Sequence, residues 1–220
     1  RLAISGFGNV GWGVVKKTAE LGGKVVAIAG PDGYIYDPDG AVTDEKINYL
    51  LEMRASGRDK VQDYADKFGC EFHAGEKPWG LGADKVDIMM PCATQNDVNM
   101  DSAKKIAASG IKYYIEVANM PTTNDALEFL KEQKHMVIAP SKAVNACGVA
   151  VSALEMAQNA ERLYWTAEEV DAKMHQIMAN IYHSSVAAAE RYGLGYDLVA
   201  GANIVGFQRV ADAMMAQGIF

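Results

Sequence analysis

Six residues near the start of the chain, Gly6-Phe7-Gly8-Asn9-Val10-Gly11, have the spacing of a turn that cradles phosphate. Each glycine answers a different steric need. Gly6 permits a tight turn, Gly8 lets backbone approach a pyrophosphate, and Gly11 lets a helix pack closely on a strand. A helix opening at such a turn offers unbonded N–H groups and a partial positive charge to an anion. The same letters also occur in ordinary glycine-rich turns, so the flanks decide. Here the apolar run Leu2–Ser5 precedes the motif and a helical pattern follows it. No Gly-Lys-Ser/Thr follows, which excludes a Walker-type loop. The expected ligand is a dinucleotide.

A carboxylate at the end of the second strand, about 20 residues on, would hold a ribose 2′-hydroxyl and repel a 2′-phosphate. That strand ends at Ala29-Gly30, and the acid comes slightly late, as Asp32 after Pro31. No Lys or Arg lies between Lys24 and Lys46 to attract a phosphate. The expected coenzyme is therefore NAD. Pro31-Asp32-Gly33 also reads as a simple turn, and both readings can hold together.

Three later loops concentrate polar residues behind predicted strands. They are Pro91-Cys-Ala-Thr-Gln-Asn96, Glu116-Val-Ala-Asn-Met-Pro-Thr-Thr123 and Pro140-Ser-Lys-Ala-Val-Asn-Ala-Cys-Gly-Val149. In an open parallel sheet, ligands bind beyond the carboxyl ends of the strands, so these loops point at one site.

The elements that would place them follow from periodicity. Strands are expected at Leu2–Ser5, Lys24–Ala29 (fully buried and parallel), Val86–Met90, Lys112–Glu116 and Met136–Ala139. Tyr34-Ile35-Tyr36 sits between turn signals, in a small hairpin. Helices are expected at Asn9–Leu21, Thr43–Ala55, Lys60–Phe68, Asp101–Ser109 and Thr123–Glu132. The first should bury Val10, Val14, Val15, Ala19 and Leu21. From residue 149 the pattern becomes long helices, 149–163, 166–191 and 202–216. The fold class is α/β: a Rossmann-type, doubly wound, mostly parallel sheet with an additional C-terminal helical layer. The expected division is a dinucleotide-binding core over 1–148 and C-terminal helices over 149–220.

The net charge of −7 and a pI near 5.1 disfavour nucleic acid as a partner. Three cysteines without paired spacing argue against a disulfide framework and for a reducing, cytoplasmic setting. No metal-ligand spacing and no membrane-length apolar run occur. The chain opens directly on a core strand, so a preceding segment is expected.

Read together, the three loops resemble the hexameric, small-subunit bacterial glutamate dehydrogenases of the Glu/Leu/Phe/Val dehydrogenase family. So do Tyr34–Gly40, Met53-Arg-Ala-Ser-Gly57, Glu155-Met-Ala-Gln-Asn159 and Val199–Gly206. The resemblance runs nearly end to end and is to the C-terminal, coenzyme-binding half. It implies that Gly6, Phe7, Gly8, Asn9, Val10 and Gly11 surround the coenzyme pyrophosphate, with Asn9 near the nicotinamide ribose. It implies that Phe7, Pro31 and Asp32 lie around the adenosine ribose, and that Ala93, Thr94 and Asn119 contact the nicotinamide half. Ser152 would hydrogen-bond the distal carboxylate of L-glutamate or 2-oxoglutarate, and Val149 would line the same pocket; the alternative for each is a helix-packing residue.

The family's reaction is oxidative deamination of L-glutamate with NAD. Its catalytic lysine and carboxylate come from an N-terminal domain, so this chain is expected to carry no catalytic residue and to bind coenzyme without turnover. In the family the last helix packs back on that domain. Without it, an apolar face with Ile204, Phe207, Val210 and Met214 should be exposed and drive self-association. Two departures stand out. The Trp79–Lys85 connection is about three residues longer than the family's, and Cys147 stands where a second glycine is usual. A leucine, valine or phenylalanine dehydrogenase shares the architecture, and a non-catalytic dinucleotide-binding module is the alternative from another class.

Overall fold

The computed structural model describes residues 1–218, which form two compact units, Arg1–Met136 and the residues from Val137 onward. This boundary falls before the last strand, whereas the sequence pattern placed the change of character after Gly148.

The first unit is built on a sheet whose strands are β1 (Leu2–Ser5), β2 (Val25–Ala29), β3 (Gly33–Tyr36), β4 (Glu71–Ala74), β5 (Ile88–Pro91) and β6 (Tyr113–Ile115). Across it they run β4-β3-β2-β1-β5-β6. β1 pairs in parallel with β2 and with β5, and β5 with β6. β3 turns back antiparallel on β2, and β4 is antiparallel to β3. The chain thus winds to one side of β1, then crosses to resume on the other side at β5. The loops after β1 and β5 diverge there and leave a crevice at the carboxyl edge.

All residues of β1 and β2 are buried, as expected for strands covered on both faces. One face packs Ile4, Val15, Val25, Ile28, Leu50, Met53 and Tyr64 into a single cluster. Elsewhere in the unit Trp79, Met89, Ile106, Ile111 and Tyr114 are fully buried. Each such side chain contributes roughly 1.5–3 kcal/mol by leaving water. The helices α1 (Asn9–Glu20), α2 (Asp44–Ala55), α3 (Gln62–Phe68), α4 (Met100–Ser109) and α5 (Asn124–Lys131) fall where periodicity put them, within a few residues. Their ends follow local chemistry. Thr43 and Asn99 accept the N–H of Lys46 and Ser102 as N-caps, and Gly69 and Gly110 close α3 and α4 in the left-handed region.

Two expectations need correction, and one strand was not foreseen. Val10 is 47% and Leu21 77% exposed, so neither belongs to the buried face of α1. Val10 lies on the exposed side of the first turn, and Leu21 is the cap beyond the last turn. The strand β4 has no apolar alternation: Glu71-Phe-His-Ala is an edge strand, held by pairing to β3 and by the His73 ring stacked on Tyr34 at 4.4 Å. Only its neighbour makes it a strand.

The second unit holds a short strand, β7 (Val137–Ala139), followed by α6 (Ser141–Val144), α7 (Ala146–Glu161), α8 (Ala167–Arg191) and α9 (Leu198–Gln217). Thr166 and Glu169 form a reciprocal capping box at the start of α8. Both α7 and α9 begin earlier than glycine content suggests. Gly201 lies inside α9 because that helix crosses α8 there: a Cβ at Gly201 would stand 2.0 Å from the carbonyl oxygen of Ser185. Of the apolar face expected on α9, Phe207 (72%), Val210 (59%) and Met214 are exposed, whereas Ile204 is half-buried.

Candidate functional site

The phosphate turn sits at the crevice beside β1. Gly6 has φ +82°, and its N–H donates to the carbonyl of Ala29 at 2.7 Å. A Cβ on Gly6 would stand 2.8 Å from the Cα of Ala93, in the loop after β5. A Cβ on Gly11 would stand 2.2 Å from the carbonyl oxygen of Gly6. Backbone therefore meets backbone at both positions, and only glycine fits. Gly8 differs: a Cβ there has no atom within 4 Å. Space over Gly8 is open, as a bridging diphosphate requires.

Helix α1 starts with no side-chain cap and no acidic residue in its first turn. Trp12 is the first residue whose N–H finds a helical acceptor, the carbonyl of Gly8 at 2.9 Å. The N–H groups of Asn9, Val10 and Gly11 precede that first bond and point out of the helix end. That is a ready-made anion cradle.

The hollow above this turn has a volume of about 350 Å³ and is bounded by Gly6, Phe7, Gly8, Gly30, Pro31, Ala93 and Thr94. The structure thus brings together most of the residues the sequence proposed for the coenzyme. Phe7 is 4% exposed and leans on Gly30, where a Cβ would meet its ring at 3.0 Å. Asn9 and Val10 are exposed on the first turn of α1.

Asp32 is not among the residues that bound this hollow, and its carboxylate is engaged by backbone. Its Oδ1 accepts the N–H of Val61 at 3.0 Å, and its Oδ2 accepts that of Gln62 at 3.1 Å. It caps α3 from outside the helix, since Val61 itself supplies no side-chain cap. Losing such a cap costs about 1–2 kcal/mol. Asp32→Ala is expected to lower the stability of the chain by that amount in urea denaturation. An unchanged midpoint would show that the carboxylate contributes nothing to α3.

Four charged residues lining the hollow had no signal in local spacing: Arg54, Asp59, Lys77 and Asp97. Arg54 ends α2 and Lys77 precedes the 3-10 turn Pro78–Gly80, so each reaches the hollow from an element distant in sequence. The absence of Lys and Arg between residues 24 and 46 therefore did not make the wall free of cations. Lys77 Nζ pairs with Asp97 Oδ1 at 3.3 Å, while Asp97 Oδ2 is buried without a hydrogen-bond partner among the described residues.

The loops after β5 and β6 are laced together. The N–H of Asn96 donates to the carbonyl of Met120 at 3.0 Å, and that of Val98 to Pro121 at 2.8 Å. Ala118 donates back to Pro91 at 2.9 Å. Below them, the buried hydroxyls of Tyr114 and Thr122 meet at 2.7 Å. Asn96 and Met120 take positive φ of 57° and 43°, an uncommon conformation for residues with a Cβ. These contacts hold Thr94 and Asn119 on one rigid rim.

Burial pushes the Cys92 thiol up to about 12. Partial burial, with Asp171, also raises that of Cys147. Both thiols stay protonated near neutrality, which argues against nucleophilic roles. In the second unit Ser152 is exposed on α7, and Val149 is 77% exposed, so Val149 is not helix core. Among the described residues no three His, Cys, Asp or Glu side chains come together as a metal would need, and no helix is long and apolar enough to cross a membrane.

The sequence pattern of the Glutamate/Leucine/Phenylalanine/Valine dehydrogenase family matches residues 1–218. The chain is 72% identical over 218 residues to the NAD-specific glutamate dehydrogenase of Clostridium symbiosum, covering 99% of this chain and 48% of that protein. It is 52% identical over 219 residues to the NAD-specific glutamate dehydrogenase of Porphyromonas gingivalis, again covering 99% and 48%. A solved glutamate dehydrogenase superposes with a TM-score of 0.95 at 72% identity, covering 99% of this chain and 48% of that one. The chain spans about half the length of the curated relatives it matches.

Proposed function

Because this chain belongs to the Glutamate/Leucine/Phenylalanine/Valine dehydrogenase family, we propose that it is the coenzyme-binding half of an NAD-dependent glutamate dehydrogenase. The observation that carries the reading is the uncapped start of α1 beneath the open space at Gly8. The relatives named as NAD-specific supply the choice of reaction and coenzyme.

In this reading the residues act as follows. The N–H groups at the start of α1 hold the pyrophosphate, and their fixed dipole needs no reorganisation. Phe7 and Pro31 flank the adenosine ribose. Each oxygen of Asp32 bonds one backbone amide and keeps a lone pair for a ribose hydroxyl. Asp32, Asp59 and Asp97 oppose a 2′-phosphate and outnumber the cations of the wall, Arg54 and Lys77, the latter already paired to Asp97. Ala93, Thr94 and Asn119, on the braced rim, orient the nicotinamide half. The bound coenzyme supplies the hydride-accepting ring, and the protein sets its position. Ser152 and Val149 face L-glutamate or 2-oxoglutarate in the intact enzyme, whose remaining half provides the groups that move protons. Functionally, 1–148 is the nucleotide-binding part, and 149–220 reaches the partner domain. The three free cysteines fit a cytoplasmic protein.

Fluorescence titration with NADH and NADPH tests the assignment. NADH is expected to bind the chain more tightly, and stronger NADPH binding would overturn the coenzyme choice. The chain alone is expected to show no turnover of glutamate with NAD. In sedimentation, the exposed Phe207, Val210 and Met214 face of α9 is expected to give concentration-dependent self-association; a monomer at every concentration would refute this.

A further inference from the structure

Helices α8 and α9 touch backbone to backbone at Gly201 and Ser185 and open away from that crossing. The opening is a hollow of about 450 Å³, within the usual size range of small-ligand sites. On α9 the stripe Ala202, Val205, Gly206 and Arg209 faces it, at helical spacing. A Cβ on Gly206 would meet nothing within 4 Å, so the space is free.

The charge in this hollow is one-sided. Lys142 from α6 and Arg209 from α9 both line it, and no Asp or Glu does. Lys142 Nζ donates to Asn203 Oδ1 rather than to a carboxylate, which leaves two of its three donors. Among the described residues the Arg209 guanidinium makes no ion pair or hydrogen bond. Asn180 and Ser184, exposed on the α8 wall, line it too and carry side-chain groups that can hydrogen-bond an anion. Two cations without counter-ions among the described residues and two polar side chains thus line one hollow in a chain of net charge −7, an arrangement that suits an anion.

We propose that the wedge between α8 and α9 binds a compact dianion of carboxylate or phosphate oxygens. Arg209 and Lys142 supply the charge, and Asn180 and Ser184 the neutral hydrogen bonds. All these residues lie in the second unit, so the site does not depend on the coenzyme assignment.

Calorimetric titration of the 220-residue chain with glutarate and with inorganic phosphate, at fixed ionic strength, tests this. At least one is expected to bind, and which of them binds more tightly separates a dicarboxylate from a phosphate ligand. Arg209→Gln and Lys142→Gln are each expected to weaken binding about tenfold, the loss of one charge-assisted hydrogen bond. Lys173→Gln, elsewhere on α8, is expected to leave it unchanged. Equal weakening by Lys173→Gln would reduce the effect to a general surface field. Weakening by Ser152→Ala as large as by Arg209→Gln would move the anion to the glutamate pocket. Either result, or no binding of both probes, overturns the site. NADH titration of the same samples reports the coenzyme half separately.

Discussion

A Gly11→Ala chain is expected to bind NADH at least a hundredfold more weakly and to unfold at lower denaturant. The added Cβ would lie 2.2 Å from the carbonyl oxygen and 2.8 Å from the carbonyl carbon of Gly6. Neither is the end of a flexible side chain. Either α1 withdraws from the turn or the turn leaves β1. Overpacking of this kind costs about 1–3 kcal/mol, with backbone against backbone at the upper end. A withdrawn helix would no longer aim its N–H groups at the pyrophosphate of the proposed coenzyme. Losing two charge-assisted hydrogen bonds, each about 1.5–3 kcal/mol, corresponds to a hundredfold or more in affinity.

Gly8→Ala makes the result interpretable. Its φ of −66° suits alanine, and its Cβ meets no protein atom. Stability should hold or rise by about 0.4–1 kcal/mol, while NADH affinity falls about tenfold or more because the methyl group occupies the diphosphate's place. Loss of binding in both variants with loss of stability in only one is the signature. If Gly8→Ala binds NADH as the parent does, the coenzyme is not seated on this turn.

The second large effect is expected at Gly201. Alanine there would press its Cβ against the Ser185 carbonyl, 2.0 Å from oxygen and 2.8 Å from carbon. Helices α8 and α9 must part, and the buried side chains at their crossing, Ser185, Ala189 and Val199, lose contact. A net loss of about 2 kcal/mol is expected, because backbone overpacking at the upper end of about 1–3 kcal/mol outweighs the gain of about 1 kcal/mol in helix propensity. Gly206→Ala gains the same propensity five residues on with open space around it, and should be neutral or stabilising. Thermal melts followed by circular dichroism compare the two. Equal effects would mean that the close crossing is not what glycine serves at position 201.

The sequence alone determined whatever rests on neighbouring residues. The glycine spacing after a strand, the buried runs of β1 and β2, the helix ends at Gly69 and Gly110 and the cap at Thr43 are local, because dihedral preference and apolar period act over a few residues. Tertiary structure decided the rest. Strand β4 exists because β3 lies beside it. Val10 and Leu21 are exposed because the ends of α1 leave the core. Asp32 acquired a helix to cap 29 residues away, and Arg54, Lys77 and Asp97 entered the hollow from three separate elements. Gly201, which looks like a helix breaker in one dimension, sits inside α9 because a second helix passes within contact of its backbone. Such encounters depend on sheet order and on which backbones meet, and no short window of residues contains that information.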